Sequence, residues 1–245
     1  MRYYLDSADK LDPVEFAQRS QAVCELYTQA PELREQGVHV VSTDEKTGIQ
    51  AIERAAPTLP MKRGKVQRQE FNYDRHGTLC LTPNLEVATG KIVAPTIGAT
   101  RTEEDFMRHI AQTVASDPQG SWVFVVDQLN THMSELLVWL VMLLCGIVTD
   151  PGVKGKSGIL ATRASRRAFL EDPGHRIRFV YTPRHASWLN QVEIWFSILV
   201  RRALKRGSFA STEELRQRLL GFVDYFNRTL AKPFKWTYQG KVLAA

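Results

Sequence analysis

Three acids in this 245-residue chain stand where chemistry can use them. Asp44 follows the β-branched run 38–42, and Asp127 follows the apolar run 122–126. In open α/β sheets, reacting groups gather beyond the carboxyl ends of strands. Two carboxylates brought together there repel each other unless a cation lies between them. Mg²⁺ takes such hard oxygen ligands and keeps positions open for water and phosphate. Two such ions about 3.5–4 Å apart activate an attacking oxygen and stabilise a leaving one in phosphodiester chemistry. The plainer reading of either aspartate alone is a turn former or a helix cap. Glu45 is a competing ligand, but alternation along a continuing strand aims it away from Asp44.

The third acid, Glu193, lies in YTPRHASWLNQVEIWFSILVRRAL (181–204), which starts as a turn and becomes an amphipathic helix. Its NQVE stretch has the form of a capping box, in which the third helical residue folds back onto the cap's N–H. Leu189, Val192, Phe196, Leu199 and Ala203 form one stripe. At 100° per residue, Glu193 lies roughly 80–90° from its centre. It flanks the packed seam, from where it can serve its own helix terminus or a metal over the sheet edge. Residue geometry leaves those two readings equal. Other motifs fail: GVKGKSG has the wrong glycine spacing for a phosphate loop and no preceding strand. The six histidines include no H-x-x-x-H pair, Ser187 has no local base, and the three cysteines are scattered. Those cysteines read as reduced core thiols of a cytosolic protein.

Several elements must position the acids. Residues 13–36 read as a helix with Asp12 as cap, Pro13 at the first position and Glu15 in the first turn. Its apolar side is Phe16, Val23 and Tyr27, with Cys24 close by. A strand over 38–42 follows, then two strands around a Thr-Gly turn at 89–90, with Pro83 marking a bend or an edge. Thr102 caps a helix whose face is Phe106, Ile110 and Val114. SWVFVVD is a strand of the kind buried on both sides. Helices over 134–147, 161–170 and 212–229 and a strand, IRFVYTP, complete the chain. Three antiparallel strands followed by α/β alternation predict a ribonuclease-H-like mixed sheet flanked by helices, with a short N-terminal helical extension. In that sheet the first strand neighbours the first strand after the meander, so Asp44 and Asp127 are expected within a few ångströms of each other.

Composition narrows the partners. The apolar share of 44% and charged share of 24% describe an ordinary globular chain. MRYYLDSADKLD carries no apolar signal-peptide core. The run SELLVWLVMLLCGIV is short of the ~20 residues a bilayer span needs, which predicts a buried helix and no membrane partner. Net charge is +6, and residues 201–235 alone hold nine Lys/Arg against three acids. A second basic segment, 62–75, has five against two. Such segments fit a solvated face or nucleic acid equally.

Taken together, STDEKTGIQAIERAAPTLP, FVVDQLNTHMSE and YTPRHASWLNQVEIWFSILVRRALKRGSF resemble the catalytic domain of bacterial insertion-sequence transposases. The group is the "six-thirty" family, related to the mariner elements. The resemblance runs from about Val38 to the C-terminus, and TPRHASWLNQVE is its most specific block. It implies a DDE-type polynucleotidyl transferase with Asp44, Asp127 and Glu193 as ligands of Mg²⁺ (or Mn²⁺), two ions in all. It thereby favours the metal over the capping box for Glu193.

The resemblance also implies double-stranded DNA as partner: element ends to be cut, and a target, at TA dinucleotides in related elements. Lys62, Arg63, Lys65, Arg184, Arg201, Arg202, Lys205 and Arg206 would then hold phosphates, with Asn130 and His132 near enough to Asp127 to assist. A homodimer in the cytoplasm, associated with the nucleoid, is expected. The domain reading is an extension over 1–36 and a catalytic domain over 37–245. Sixty-five residues separate Asp127 from Glu193, more than is usual in mariner relatives, and an insert at about 146–176 accounts for them. The family carries an N-terminal helix-turn-helix reader, whereas one helix precedes Val38 here. The expectation is therefore the downstream half of a split gene or a truncated remnant. Two rival readings are a non-catalytic DNA-binding remnant that dimerises with or represses full-length copies, and another nuclease of the same fold, such as a resolvase.

Overall fold

The structure, a computed structural model, describes residues 13–68 and 70–239. The cap expected at Asp12 and the first twelve residues lie outside them. In chain order the elements are α1 (Pro13–Glu35), β1 (Val38–Thr43), β2 (Lys46–Arg54), β3 (Tyr73–Glu86), β4 (Ile92–Gly98), α2 (Glu103–Ala115) and β5 (Ser121–Val126). There follow α3 (Glu135–Cys145), α4 (Arg163–Leu170), β6 (Ile177–Tyr181), α5 (Val192–Leu199), a π-helical turn (Val200–Leu204) and α6 (Thr212–Thr229).

β2 is the strand that the sequence reading did not resolve. Its pairing explains why. β1 pairs antiparallel with β3 through Thr43↔Asn84, and β2 resumes the same pairing at Lys46↔Leu81. Two residues intervene on each side, so β1 and β2 are two halves of one long strand interrupted only at Asp44 and Glu45. Pro83 falls where β3 changes partners, beside a register shift between Thr82 and Asn84 in the β3–β4 ladder. A residue without an N–H is tolerated at such a break. The Thr-Gly turn is present, with Gly90 at φ 69°. β5 then pairs parallel with β1, and β6 parallel with β5. This is the expected ribonuclease-H-like order: three antiparallel strands, the first of them broken, then parallel strands added by α/β crossovers.

Helices cover both faces. Phe106, Ile110 and Val114 of α2 and Leu137, Val138 and Val141 of α3 pack on Trp122, Phe124, Phe179 and Tyr181. The opposite face is shared. Val23, Leu26, Tyr27 and Ala30 of α1 lie over Val40, Val123 and Val125. Trp195, Phe196 and Leu199 of α5 and Leu215, Leu219 and Phe226 of α6 lie over Ile49, Leu79, Leu81 and Leu85. The N-terminal helix is thus a layer on the sheet. The apolar run of α3 is core, and among the described residues no helix is long and apolar enough to cross a membrane. No disulfide joins the three cysteines, of which Cys24 and Cys80 are buried and Cys145 is half-buried.

Candidate active site

The parallel β1–β5 register ends at Ser42↔Val125. Two residues further along each strand, Asp44 therefore stands across from Asp127, at the separation of neighbouring strands, about 4.8 Å. Alternation sends Val40 and Val125 to the α1 face and Val41 and Val126 to the α2/α3 face. Asp44 and Asp127 continue the α1/α5 side, and Glu45 turns to the other, as alternation predicted.

There Glu45 meets a group hinted at only by its place five residues after Asp127. The His132 imidazole is fully buried against Phe106, their ring centroids 4.2 Å apart. Its Nε2 lies 3.1 Å from Glu45 Oε1, and its Nδ1 lies 2.8 Å from Asp127 Oδ1. Both partners only accept hydrogen bonds, so both ring nitrogens carry protons. Burial pulls the imidazole pKa down, but the hydrogen bonds and charges of Asp127 and Glu45 outweigh it and set it at about 10. Burial likewise opposes charge on Asp127, and the His132 bond and charge overcome it, holding that carboxyl below its ordinary range. The Leu129 N–H also donates to Oδ1 at 2.9 Å, which leaves Asp127 Oδ2 without a hydrogen bond among the described residues. Tyr181 fixes the turn by donating its hydroxyl proton to the His132 carbonyl at 2.7 Å. Asp44 forms no ion pair among the described residues. Burial and the nearby Asp127 charge push its pKa up to about 7. Asn130 stands exposed at the start of the same turn.

Glu193 sits half-buried in the first turn of α5, and the capping box does not form. The residue expected to cap, Asn190, is turned into the sheet instead. Its amide nitrogen donates to Thr43 O at 2.9 Å, and its carbonyl oxygen accepts from the Ser42 hydroxyl. Ser42 Oγ in turn accepts from the Val192 N–H at 2.9 Å, capping α5 from β1. This clasp ties the start of α5 to the strand that ends at Asp44. It leaves the Glu193 carboxylate without a hydrogen bond or ion pair to any described residue. The three acids do not yet form one ligand cluster: among the described residues no group of three His, Cys, Asp or Glu stands close enough to hold a metal.

The basic candidates lie at separate places. Lys62, Arg63 and Lys65 form the tip of a hairpin arm, closed by mutual backbone bonds between residues 62 and 65 of 3.1 and 2.9 Å. Arg184 is exposed in the turn before Asn190, where His185 has φ 58°. Arg201 and Arg202 project from the π-helical turn, and Lys205 and Arg206 follow it, all exposed.

Residues 39–216 match the family described as DDE superfamily endonuclease. The chain belongs to that family. No curated protein matches the sequence. Among solved structures, the fold of this DDE endonuclease is similar to that of "the Mos1 mariner paired end complex with Mn", at 11% identity and a TM-score of 0.51 over 92% of this chain and 59% of that one. The "Mos1 transposase paired-end complex with left transposon end" is similar at 11% identity and a TM-score of 0.51, over 91% of this chain and 57% of that one. The DDE endonuclease chain thus spans under two thirds of those transposase chains.

Proposed function

We propose that this DDE endonuclease is the catalytic domain of a transposase that cuts the ends of a mobile element and joins them to target DNA. The observation that carries the reading is the β1–β5 pairing, which sets Asp44 beside Asp127 at the strand end to which α5 is clasped. In this reading Asp44, Asp127 and Glu193 hold Mg²⁺ or Mn²⁺, two ions in all. Their chemistry suits such ions: all donors are oxygens, Asp127 Oδ2 accepts no hydrogen bond among the described residues, and burial beside the Asp127 charge raises the Asp44 pKa, a crowding that a bound cation would relieve. When bound, the metal activates the attacking oxygen and neutralises charge at the phosphodiester.

The protein's own part is positioning. His132 fixes the Asp127 carboxylate by one oxygen, and Glu193 completes the ligand set by turning in from the first turn of α5. The hairpin tip (Lys62, Arg63, Lys65), Arg184 and the basic stretch Arg201, Arg202, Lys205 and Arg206 hold duplex phosphates. A second copy serves the second element end, the target is TA-containing DNA, and the setting is the nucleoid.

Plasmid nicking with Mg²⁺ or Mn²⁺ tests the reading. Asp44→Asn, Asp127→Asn and Glu193→Gln are each expected to abolish nicking while keeping salt-sensitive DNA binding. Nicking by Asp127→Asn at the native rate overturns it.

A further inference from the structure

The segment between α3 and β6 is longer than the fold needs, and its placement gives it a task. From Pro151 to Leu170 it contains Lys154, Lys156, Arg163, Arg166 and Arg167 and no acid. The chain leaves α3 at its far end, yet the segment returns to the catalytic end. The Lys154 ammonium lies 3.5 Å from Glu135, the first residue of α3. The Arg163 guanidinium donates to the carbonyl of Gln128, the residue after Asp127. Arg166 donates to Met133 O at 2.7 Å, one residue beyond His132.

The tip, VKGKSG, is exposed but tightly shaped. Gly152, Gly155 and Gly158 have φ of 86°, 75° and 66°. A Cβ on Gly152 would stand 2.2 Å from Ser157 O, and one on Gly158 2.5 Å from Pro151 O. Only glycine permits that crossing. Charge compensation is partial: Lys154 pairs with Glu135 and Arg167 with Glu15 and Glu171, whereas Arg163 and Arg166 donate to backbone carbonyls and a methionine sulfur, and Lys156 has no ion-pair partner among the described residues. These cations lie on the α2/α3 side of the strand end, whereas Arg201 and Arg202 extend from α5 on the opposite face.

We infer that this insert is a second phosphate-binding arm, which grips duplex DNA beyond Asp127 with Lys154 and Lys156 while the α5–α6 side grips it beyond Glu193. The inference rests on the DNA-processing reading above. A duplex crossing the strand end then meets positive charge on both sides, and the scissile phosphate is held between two grips.

The test is the salt dependence of duplex binding by the full chain and by Lys154→Ala/Lys156→Ala. Each phosphate contact adds about 0.9 to the slope of log K against log salt. The double variant is expected to lose about one to two units of slope and to bind several-fold more weakly at 0.1 M salt. Its thermal midpoint should be unchanged. In the native chain, both lysines should be protected from amine acylation by bound duplex. A slope and affinity equal to native overturn the inference and leave the DNA reading standing. A change in self-association with the slope unchanged also overturns it, marking a protein contact instead. A native chain that binds no duplex at all overturns the DNA reading and this inference together.

Discussion

His132 binds two carboxylates with one ring, and the two belong to opposite faces of the sheet. Glu45 is buried beneath α2, while Asp127 opens toward α5. Removing the ring strands a nearly buried Glu45 charge, which typically costs about 3–5 kcal/mol. His132→Ala is accordingly expected to lower unfolding free energy by that order in urea titrations; a loss below about 1 kcal/mol would contradict the bridge. Asn190 carries the other positioning task. Asn190→Ala removes its bonds to Ser42 and Thr43, at about 1–3 kcal/mol for the buried groups left unpaired. It should also slow nicking by more than it weakens DNA binding, since α5 loses its tie to β1. Sequence placed His132 within reach of Asp127, and it put Glu45 on the far side by alternation. It could not join the two, because their contact spans 87 residues. The NQVE stretch misled for a related reason: a local cap and a long-range clasp use the same Asn190 side chain, and burial against β1 decides between them.

At the scale of elements, the buried polar link between α2, β3 and β4 sets a pH response. His109 Nε2 donates to Asn84 Oδ1 at 3.0 Å, since that oxygen only accepts, and Nδ1 accepts from the Thr96 hydroxyl at 2.9 Å. Burial, and then the charge of His132, hold the His109 pKa down to about 3. The folded pKa lies below the unfolded value of about 6.5, so the unfolded chain binds a proton that the folded one refuses. This contribution is complete above pH 6.5 and is lost progressively as pH falls toward 3. Urea titrations from pH 7.5 to 4.5 should show a steeper loss for the native chain than for His109→Gln, and parallel curves would refute the assignment.

The C-terminal segment past α6 forms a strap across the β3–β4 turn. A Cβ on Gly90 would stand 2.0 Å from Lys232 O. Further on, Trp236 packs edge-on to Tyr27 of α1 at 5.1 Å. Gly90→Ala therefore combines a left-handed φ with a backbone collision. It should cost at least about 1 kcal/mol more than Gly146→Ala, where φ is also positive but nothing lies within 4 Å. The start of α2 at Thr102 and the turn at Gly90 were legible because their signals are local. β2 was not, since KTGIQAIER alternates only partly and its glycine occupies a register shift.

For the molecule as a whole, two interrupted features, the break between β1 and β2 and the end of β5, meet at one end of the sheet. Net charge of +6 and the exposed cations predict duplex binding that weakens steeply with salt, measurable as a linear fall of log K against log salt. Binding unaffected between 50 and 200 mM would contradict a phosphate-based interface. The fold class and the meeting of Asp44 with Asp127 were legible because β-branched runs ending in acids specify both a strand and its tip. The tie that holds the start of α5 was not, because the Ser42–Asn190 clasp joins residues 148 apart in sequence. The central claim is that Asp44, Asp127 and Glu193 together hold the catalytic metal. A crystal soaked in Mn²⁺ and measured at the manganese edge tests it most directly. The account predicts anomalous density between Asp44 and Asp127 at about 2.1 Å from their oxygens, with Glu193 turned in as a further ligand. Manganese bound elsewhere, or bound without a Glu193 oxygen, would contradict it.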